Sequence, residues 1–317
     1  MSLSEITPAP VALFTYNRPD HTRRTVEALQ QNPFASQSDL FVFCDGAKSS
    51  NDAAVIAVRE YVNSITGFNS LTVIERETNI GLAKSIIEGV TDVVSKFGAV
   101  IVLEDDLITS PYFLSYMNIC LQYYERFEDV FSVSGWAPPT LLQVRSEYSV
   151  AFFPRTCSWG WATWQDQWHS VDWSVADYEQ FKYSRSMQKE FNNGGPDLTK
   201  MLHAQMNGDV DSWAIRFCYS QFRQQKLSVY PIHSYVENIG CDGSGVHCNI
   251  HITQQLAVKN EEDLCLPNIV YEDEDIIKLF VNFYSPPPFF IRCINKLSRA
   301  LIGKNIVTYE DTELEHL

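Results

Sequence analysis

The feature that most constrains the fold is the even spacing of short apolar runs along the first 135 residues. The first four runs end at Tyr16, Asp45, Glu75 and Glu104, which are spaced by 29, 30 and 29 residues. About thirty residues is the length of a strand followed by a crossover helix. Strands joined in this way form a mostly parallel sheet that helices cover on both faces. The predicted strands are Val11–Tyr16, Leu40–Cys44, Leu71–Glu75, Ala99–Glu104 and Val130–Ser134.

Polar residues close these strands, and the carboxyl ends of parallel strands share one rim, where ligands bind. The fourth strand delivers Glu104, Asp105 and Asp106 to that rim. Adjacent carboxylates repel one another, and hard oxygen ligands suit Mg²⁺ or Mn²⁺ completed by substrate phosphates. The pattern therefore predicts a metal site, with an acid-rich turn as the alternative.

Two further rim residues are candidates for binding a nucleotide. Arg18 follows the first strand and has the planar fork of donors that clamps a diphosphate, although a surface arginine is the alternative. Asp45 precedes Gly46, where a carboxylate could accept from a base or a ribose, or simply form a turn. The sequence contains neither GxGxxG nor GxxxxGK[ST], which argues against a dinucleotide oxidoreductase and against a P-loop enzyme.

The order of these motifs resembles that of GT-A nucleotide-sugar glycosyltransferases, especially the N-acetylglucosaminyltransferase I family and related bacterial sugar transferases. The resemblance covers about residues 9–250 and implies a GT-A-like, Rossmann-type fold. On this basis residues 1–255 form the transferase domain, with a donor half at about 9–135 and a Trp-rich acceptor half at about 136–255; residues 256–317 form an acidic linker and a C-terminal helical extension. The matching motifs are Phe14–Arg18, Asp45, Asn79–Gly81, Glu104–Leu107, Val133–Trp136, Phe152–Pro154, Trp159–Trp161 and Asp211–Trp213.

The resemblance also implies roles for single residues. Asp106 would bind Mn²⁺, or Mg²⁺, bridging the diphosphate of the donor. The catalytic base of the family lies in an Asp-Asp-Trp segment, which here reads Asp211-Ser212-Trp213, one acid short. Asp211 is therefore the expected base, with Asp209 as the reserve. The expected donor-binding residues are Thr15, Asn17, Arg18, Asp45, Gly81, Lys84, Glu104 and Asp105.

Two other segments carry predictions. Trp159 and Trp161 are the acceptor candidates, because an indole face packs against a sugar ring, although buried tryptophan is more often part of the core. The glycine-rich segment 240–248 contains His247, which is expected to touch phosphate or metal. The alternatives for this segment are a plain loop or a zinc site formed by Cys241, His247, Cys248 and His251.

These observations predict a metal-dependent, inverting transferase of bacterial type, which moves sugar from a UDP-sugar to a glycan or lipid-linked saccharide. UDP-GlcNAc is favoured as donor by the resemblance alone. A nucleotidyltransferase acting on sugar phosphates is one alternative, and it would release pyrophosphate. The other is a catalytically silent sugar-binding protein on the same scaffold, which the missing acid before Trp213 favours.

Composition limits the partners and the compartment. The net charge of −15 argues against nucleic-acid binding, and eight cysteines without a CxxC motif fit reduced thiols in the cytoplasm. No apolar run approaches the roughly 18–20 residues of a membrane span, and residues 1–10 show no secretory signal. Residues 289–304 combine an apolar stripe with four basic residues and no acid, which predicts peripheral contact with an anionic membrane. Packing of this helix onto the domain is the alternative.

Overall fold

The computed structural model describes residues 6–49, 52–240, 256–257 and 264–285. The strands are β1 (Val11–Thr15), β2 (Asp39–Cys44), β3 (Ser70–Glu75), β4 (Ala99–Glu104), β5 (Leu107–Thr109), β6 (Val130–Ser134), β7 (Val150–Phe153), β8 (Trp161–Trp164), β9 (Leu227–Pro231) and β10 (Val236–Asn238). The helices are α1 (Pro19–Gln30), α2 (Ala53–Val62), α3 (Leu82–Phe97), α4 (Phe113–Tyr124), α5 (Gln165–His169), α6 (Tyr178–Tyr183), α7 (Arg185–Phe191), α8 (Leu198–Met206), α9 (Trp213–Arg223) and α10 (Glu274–Tyr284).

An eight-stranded sheet with the order β3-β2-β1-β4-β8-β6-β9-β7 forms the centre of the molecule. The four strands β3, β2, β1 and β4 are parallel neighbours, as predicted, and the ends of the five predicted strands agree with the structure to within one residue. The mostly parallel, helix-flanked α/β fold is therefore confirmed. β5 and β10 pair separately as a short antiparallel ribbon.

Helices cover both faces of the sheet because successive strand residues point to opposite sides. Val11 and Leu13 of β1 face the core formed with α1, α2 and α4, whereas Ala12 and Phe14 face α3. Gly89 allows α3 to approach the sheet closely, since a Cβ atom there would lie 2.8 Å from the Phe14 ring. α9 packs on the same face as α3.

The predicted donor and acceptor halves share one sheet. β8, from the second half, lies between β4 and β6 and is antiparallel to both. β6 then pairs in parallel with β9, and β7 closes the edge antiparallel to β9. Residues of the two halves are thus hydrogen-bonded neighbours across the middle of the sheet.

The structure describes part of the segment 256–317, which is predicted to form an acidic linker and a C-terminal helical extension. The acids near Asp273 start α10, and the Asp273 carboxylate accepts from the backbone N–H groups of Asp275 and Ile276. Carboxylates at this position cap a helix and interact favourably with its dipole. Phe280 of α10 stacks on Phe153 with ring centroids 3.8 Å apart, so the helix belongs to the domain core.

The described ranges contain no helix with both the length and the apolar character that crossing a membrane requires.

Candidate active site

One rim of the sheet collects the segments that the sequence predicts to be functional. β1 and β4 are parallel neighbours, so the loop after Thr15 and the acids after Leu103 leave the sheet side by side. β8 runs the opposite way, which places its first residue, Trp161, at the same rim opposite Val102. α9 precedes the parallel strand β9, so α9 also begins at this rim.

Glu104, Asp105 and Asp106, the acid cluster, follow one another at the end of β4. Burial raises the pKa of Glu104 well above its ordinary value, and the charges of Asp106 and Asp105 raise it further. The pKa of Asp105 rises to about 7, mainly through burial and then through the charge of Asp106. Asp105 Oδ2 accepts from the backbone N–H of Tyr16 at 3.2 Å, which ties the cluster to the loop after β1.

Arg18 supplies positive charge to the acid cluster. Pro19 occupies the first helical position of α1 and fixes where this helix begins, so Arg18 stands directly before it. The Arg18 Nη1 atom donates to Asp106 Oδ2 at 2.8 Å, and the two side chains are only 16% and 18% exposed. Arg18 Nη2 lies 3.1 Å from His21 Nε2 and 3.4 Å from the carbonyl oxygen of Gly240. Burial raises the pKa of Asp106, and the charge of Arg18 opposes this rise.

Gly240 closes the acid cluster from another side. A Cβ atom at this position would lie 2.0 Å from Asp106 Oδ2 and 3.0 Å from Arg18 Nη1, so a residue with a side chain does not fit here. The backbone N–H of Ile239 donates to the carbonyl oxygen of Asp106 at 2.9 Å. Ile239 and Gly240, directly after β10, are therefore held against the end of β4.

The structure changes the assignment of Asp45, which was predicted to bind the donor. Its carboxylate is buried and accepts four hydrogen bonds from its own chain, at distances of 2.8–3.0 Å. The donors are the backbone N–H groups of Gly46, Ile80 and Gly81 and the side-chain amide of Asn79. The two carboxylate oxygens of Asp45 have about four lone-pair sites, and these four hydrogen bonds occupy all of them. Asp45 holds the loop before α3, and Gly81 donates to Asp45 within that loop.

The remaining predicted donor residues have different surroundings. Thr15 is buried, and its hydroxyl donates to Cys44 Sγ at 3.3 Å, so its role as a donor contact stays a prediction. The side chain of Lys84 is 62% exposed and lies 3.7 Å from Glu88 on the surface of α3. Asn17 is half-buried in the loop before Arg18, next to the acid cluster.

Asp211 stands just before α9. The Ser212 hydroxyl accepts from the backbone N–H of Ile215 and caps this helix. The Asp211 side chain is 70% exposed, and its Oδ1 accepts from Arg216 Nη2 at 3.2 Å. Asp209 is also exposed. The structure thus brings Asp211 to the rim, and its role as base stays a prediction.

The tryptophan predictions need correction. Trp161 is 1% exposed and packs against Trp168 and Trp213, with ring centroids 5.7 and 4.9 Å away, so it has no surface for an acceptor. Large aromatic side chains supply much of the area that a core buries, and Trp161 serves that purpose. Trp159 is half-buried against Trp136 and keeps some exposed surface.

The sequence analysis missed His21 and Arg216. His21 lies three residues after Arg18, and Arg216 lies four residues after Ser212. Residues three or four positions apart lie on one face of a helix, so this spacing could have predicted both contacts. His247, the possible zinc ligands at 241–251 and residues 289–304 lie outside the described residues.

The acid cluster has the chemistry to hold one hard divalent cation. The described part of the chain has no group of three or more His, Cys, Asp or Glu side chains around one metal position. Mg²⁺ is commonly held by one or two carboxylates together with water and substrate phosphates, and Mn²⁺ prefers the same oxygen ligands. The side chain of Glu104 has neither a hydrogen bond nor an ion pair among the described residues, and burial and the neighbouring charges of Asp106 and Asp105 raise its pKa, so a cation at the cluster would offset the repulsion among the three carboxylates. Asp106, completed by a diphosphate, fits such an ion.

One family model and several solved structures match the chain. The model of the GNT-I family matches residues 3–203, which is more than half of the chain. No curated protein matches the chain. Among solved structures, a mannosyltransferase from Pyrobaculum calidifontis in complex with GDP-Man and Mn²⁺ is 13% identical, with 68% of this chain and 76% of that chain covered and a TM-score of 0.37.

Two structures of TarS from S. aureus also match. One is 12% identical and covers 74% of this chain and 37% of that chain, with a TM-score of 0.39. The other, TarS 1-349 in complex with UDP, is 11% identical, with 72% of this chain and 59% of that chain covered and a TM-score of 0.38. The chain thus spans less than two thirds of either TarS structure.

Proposed function

The chain belongs to the GNT-I family and is a nucleotide-sugar-dependent glycosyltransferase; from this premise we propose that it transfers a sugar from a UDP-sugar to a hydroxyl group of a glycan or lipid-linked saccharide. The observation that carries the proposal is the acid cluster at the rim with Arg18 at 2.8 Å from Asp106. Carboxylates and a guanidinium placed together can bind both a divalent cation and the diphosphate of a nucleotide sugar.

The donor would lie between the loop after β1 and the end of β4. Arg18 has the fork of N–H donors that binds two phosphate oxygens at once. Glu104 and Asp105 would accept from hydroxyl groups of the ribose or the sugar, and Asn17 would contact the same ligand. Asp45 acts indirectly, because it holds the loop from Asn79 to Gly81 in place.

Asp106 is the residue that would hold a Mn²⁺ or Mg²⁺ ion. A divalent cation, when bound, stabilises the negative charge that develops on the departing diphosphate. Arg18 contributes to the same stabilisation through its own positive charge. Exclusion of water by Gly240, which packs on Asp106, would strengthen both interactions.

Asp211 is the proposed general base. Its carboxylate would take the proton of the acceptor hydroxyl as the new bond forms between that oxygen and the anomeric carbon of the donor sugar. The bond from this carbon to the phosphate oxygen then breaks, and the nucleoside diphosphate leaves with the electron pair. One displacement of this kind inverts the configuration of the sugar. Arg216 bonds to Asp211 and limits its rotation.

Calorimetry on the Asp106→Ala variant tests the proposal. The variant should lose Mn²⁺-dependent binding of UDP-GlcNAc and of UDP, with an unchanged circular dichroism spectrum. Asp20→Ala removes a carboxylate that is 88% exposed on α1 and is the matched control, which should bind as the wild type does. Unchanged, metal-dependent binding by Asp106→Ala would refute the metal assignment.

The products of turnover test the reaction class. Release of UDP from the donor in the presence of an acceptor supports transfer, whereas release of pyrophosphate from a nucleoside triphosphate and a sugar phosphate would identify a nucleotidyltransferase. Binding of UDP-sugar without any turnover across a panel of acceptors would favour the silent sugar-binding protein.

A further inference from the structure

We propose that Arg18 and a divalent cation compete for the Asp106 carboxylate, and that the diphosphate of the donor removes this competition by binding Arg18. The free protein would then bind the cation weakly, and cation and nucleotide would each strengthen the binding of the other. This inference rests on the proposed function, because it takes Asp106 as the metal ligand.

The geometry of the carboxylate carries the first step. Asp106 Oδ2 is occupied by Arg18 Nη1 at 2.8 Å, and Gly240 lies so close that a Cβ atom there would be 2.0 Å from the same oxygen. A cation bound at the usual distance of about 2.1 Å needs the space on this oxygen that the guanidinium fills. Binding of a cation to Asp106 Oδ2 therefore requires Arg18 to move.

Electrostatics carry the second step. A guanidinium and a divalent cation on one carboxylate would lie within a few ångströms of each other, inside a region where water screens their repulsion poorly. Both side chains of the ion pair are less than one fifth exposed. In the absence of another anion, the contacts of Arg18 with His21 and Gly240 favour the position it holds.

The donor supplies the anion that resolves the conflict. Phosphate oxygens match the fork of an arginine, and the resulting bonds are charge-assisted. When Arg18 turns to the diphosphate, the Asp106 carboxylate would be left to hold the cation. Every charge keeps a partner of opposite sign in this exchange. The coupling is reciprocal by thermodynamic necessity.

Binding of Mn²⁺, followed by electron paramagnetic resonance of the free ion, measures the effect without turnover. For the wild type, saturating UDP should tighten Mn²⁺ binding by a factor within the range of about 5–150 that is usual for coupled sites. For Arg18→Gln, Mn²⁺ alone should bind at least about fivefold more tightly than it does to the wild type, and UDP should add less than about threefold. Arg23→Gln removes an arginine that is 47% exposed on α1, the helix that Arg18 precedes, and it should behave as the wild type does.

The outcomes separate this inference from the proposed function. If Asp106→Asn binds Mn²⁺ in the presence of UDP as the wild type does, the metal assignment fails and both ideas fall. If Asp106→Asn loses Mn²⁺ but Arg18→Gln binds Mn²⁺ alone with wild-type affinity, the proposed function stands and the competition is refuted. Arg18→Met covers the case in which Arg18→Gln does not fold. It should also bind Mn²⁺ alone more tightly than the wild type does, because methionine carries no charge and cannot pair with Asp106, and an unchanged affinity would refute the competition.

Discussion

Replacing Asp45 with asparagine should destabilise the protein even when no donor is present. The sequence motif places Asp45 in contact with the donor, whereas the structure gives its carboxylate four partners from the chain itself. A donor contact would affect binding and leave the free protein unchanged. A residue that holds a loop in place affects the stability of the protein even without donor.

The magnitude follows from the four hydrogen bonds. An asparagine keeps one carbonyl oxygen and puts an NH₂ group where Asp45 Oδ2 accepts from the Gly81 N–H and the Asn79 amide. These two bonds become contacts between donors, in a site where the aspartate side chain is buried. At roughly 1.5–3 kcal/mol for each hydrogen bond to a charged group, the loss of these two bonds should lower the free energy of unfolding by about 3 kcal/mol.

Urea unfolding followed by circular dichroism, without nucleotide or metal, measures this loss. Asp39→Asn is the matched control, because Asp39 lies at the start of the same strand and bonds to exposed side chains of Asn69 and Ser70. Its effect should stay within about 0.5 kcal/mol, which is usual for surface substitutions. An Asp45→Asn variant with wild-type stability but without affinity for UDP would refute the reasoning and restore Asp45 as a donor contact.

The remaining predictions concern the base, the C-terminal helix and residues 289–304. Asp211→Asn should keep its affinity for the donor in calorimetry but release UDP about 10²–10⁴-fold more slowly with acceptor present; if Asp209→Asn shows the loss instead, the base is Asp209. Phe280→Ala should lower the free energy of unfolding in urea by about 3–5 kcal/mol, because its ring is buried on Phe153, and a loss below about 1 kcal/mol would contradict this packing. The full chain should sediment with anionic vesicles at low salt, whereas a chain ending at Ser285 should not; equal sedimentation would leave the packing alternative for residues 289–304.

The parallel half of the sheet was predictable because its determinants are local. Each strand from β1 to β4 is a short apolar run, and each connection has nearly the same length. The other half depends on pairing between residues far apart in sequence. Trp161 to Trp164 is an apolar run like the others, and nothing in its composition indicates that it lies between β4 and β6 in the antiparallel direction.

The site was predictable only in part, for the same physical reason. Parallel topology alone puts Arg18 and the acid cluster at one rim, and the structure places them in contact. Hydrogen bonds are not determined by topology. Two of the groups that donate to Asp45 belong to a loop more than thirty residues further along the chain. A sequence motif shows that a carboxylate is present but does not show which groups will bond to it.

The tryptophans show how a core can position an active site. Trp161 pairs through its backbone with Val102, two residues before Glu104, and its ring stacks on Trp213, two residues after Asp211. The same aromatic group therefore joins the strand that carries the acid cluster to the helix that follows the proposed base. Protein cores are closely packed and transmit displacements, so a smaller side chain at Trp161 would shift α9 relative to β4. The separation of the two carboxylate sites thus depends on residues that touch neither substrate.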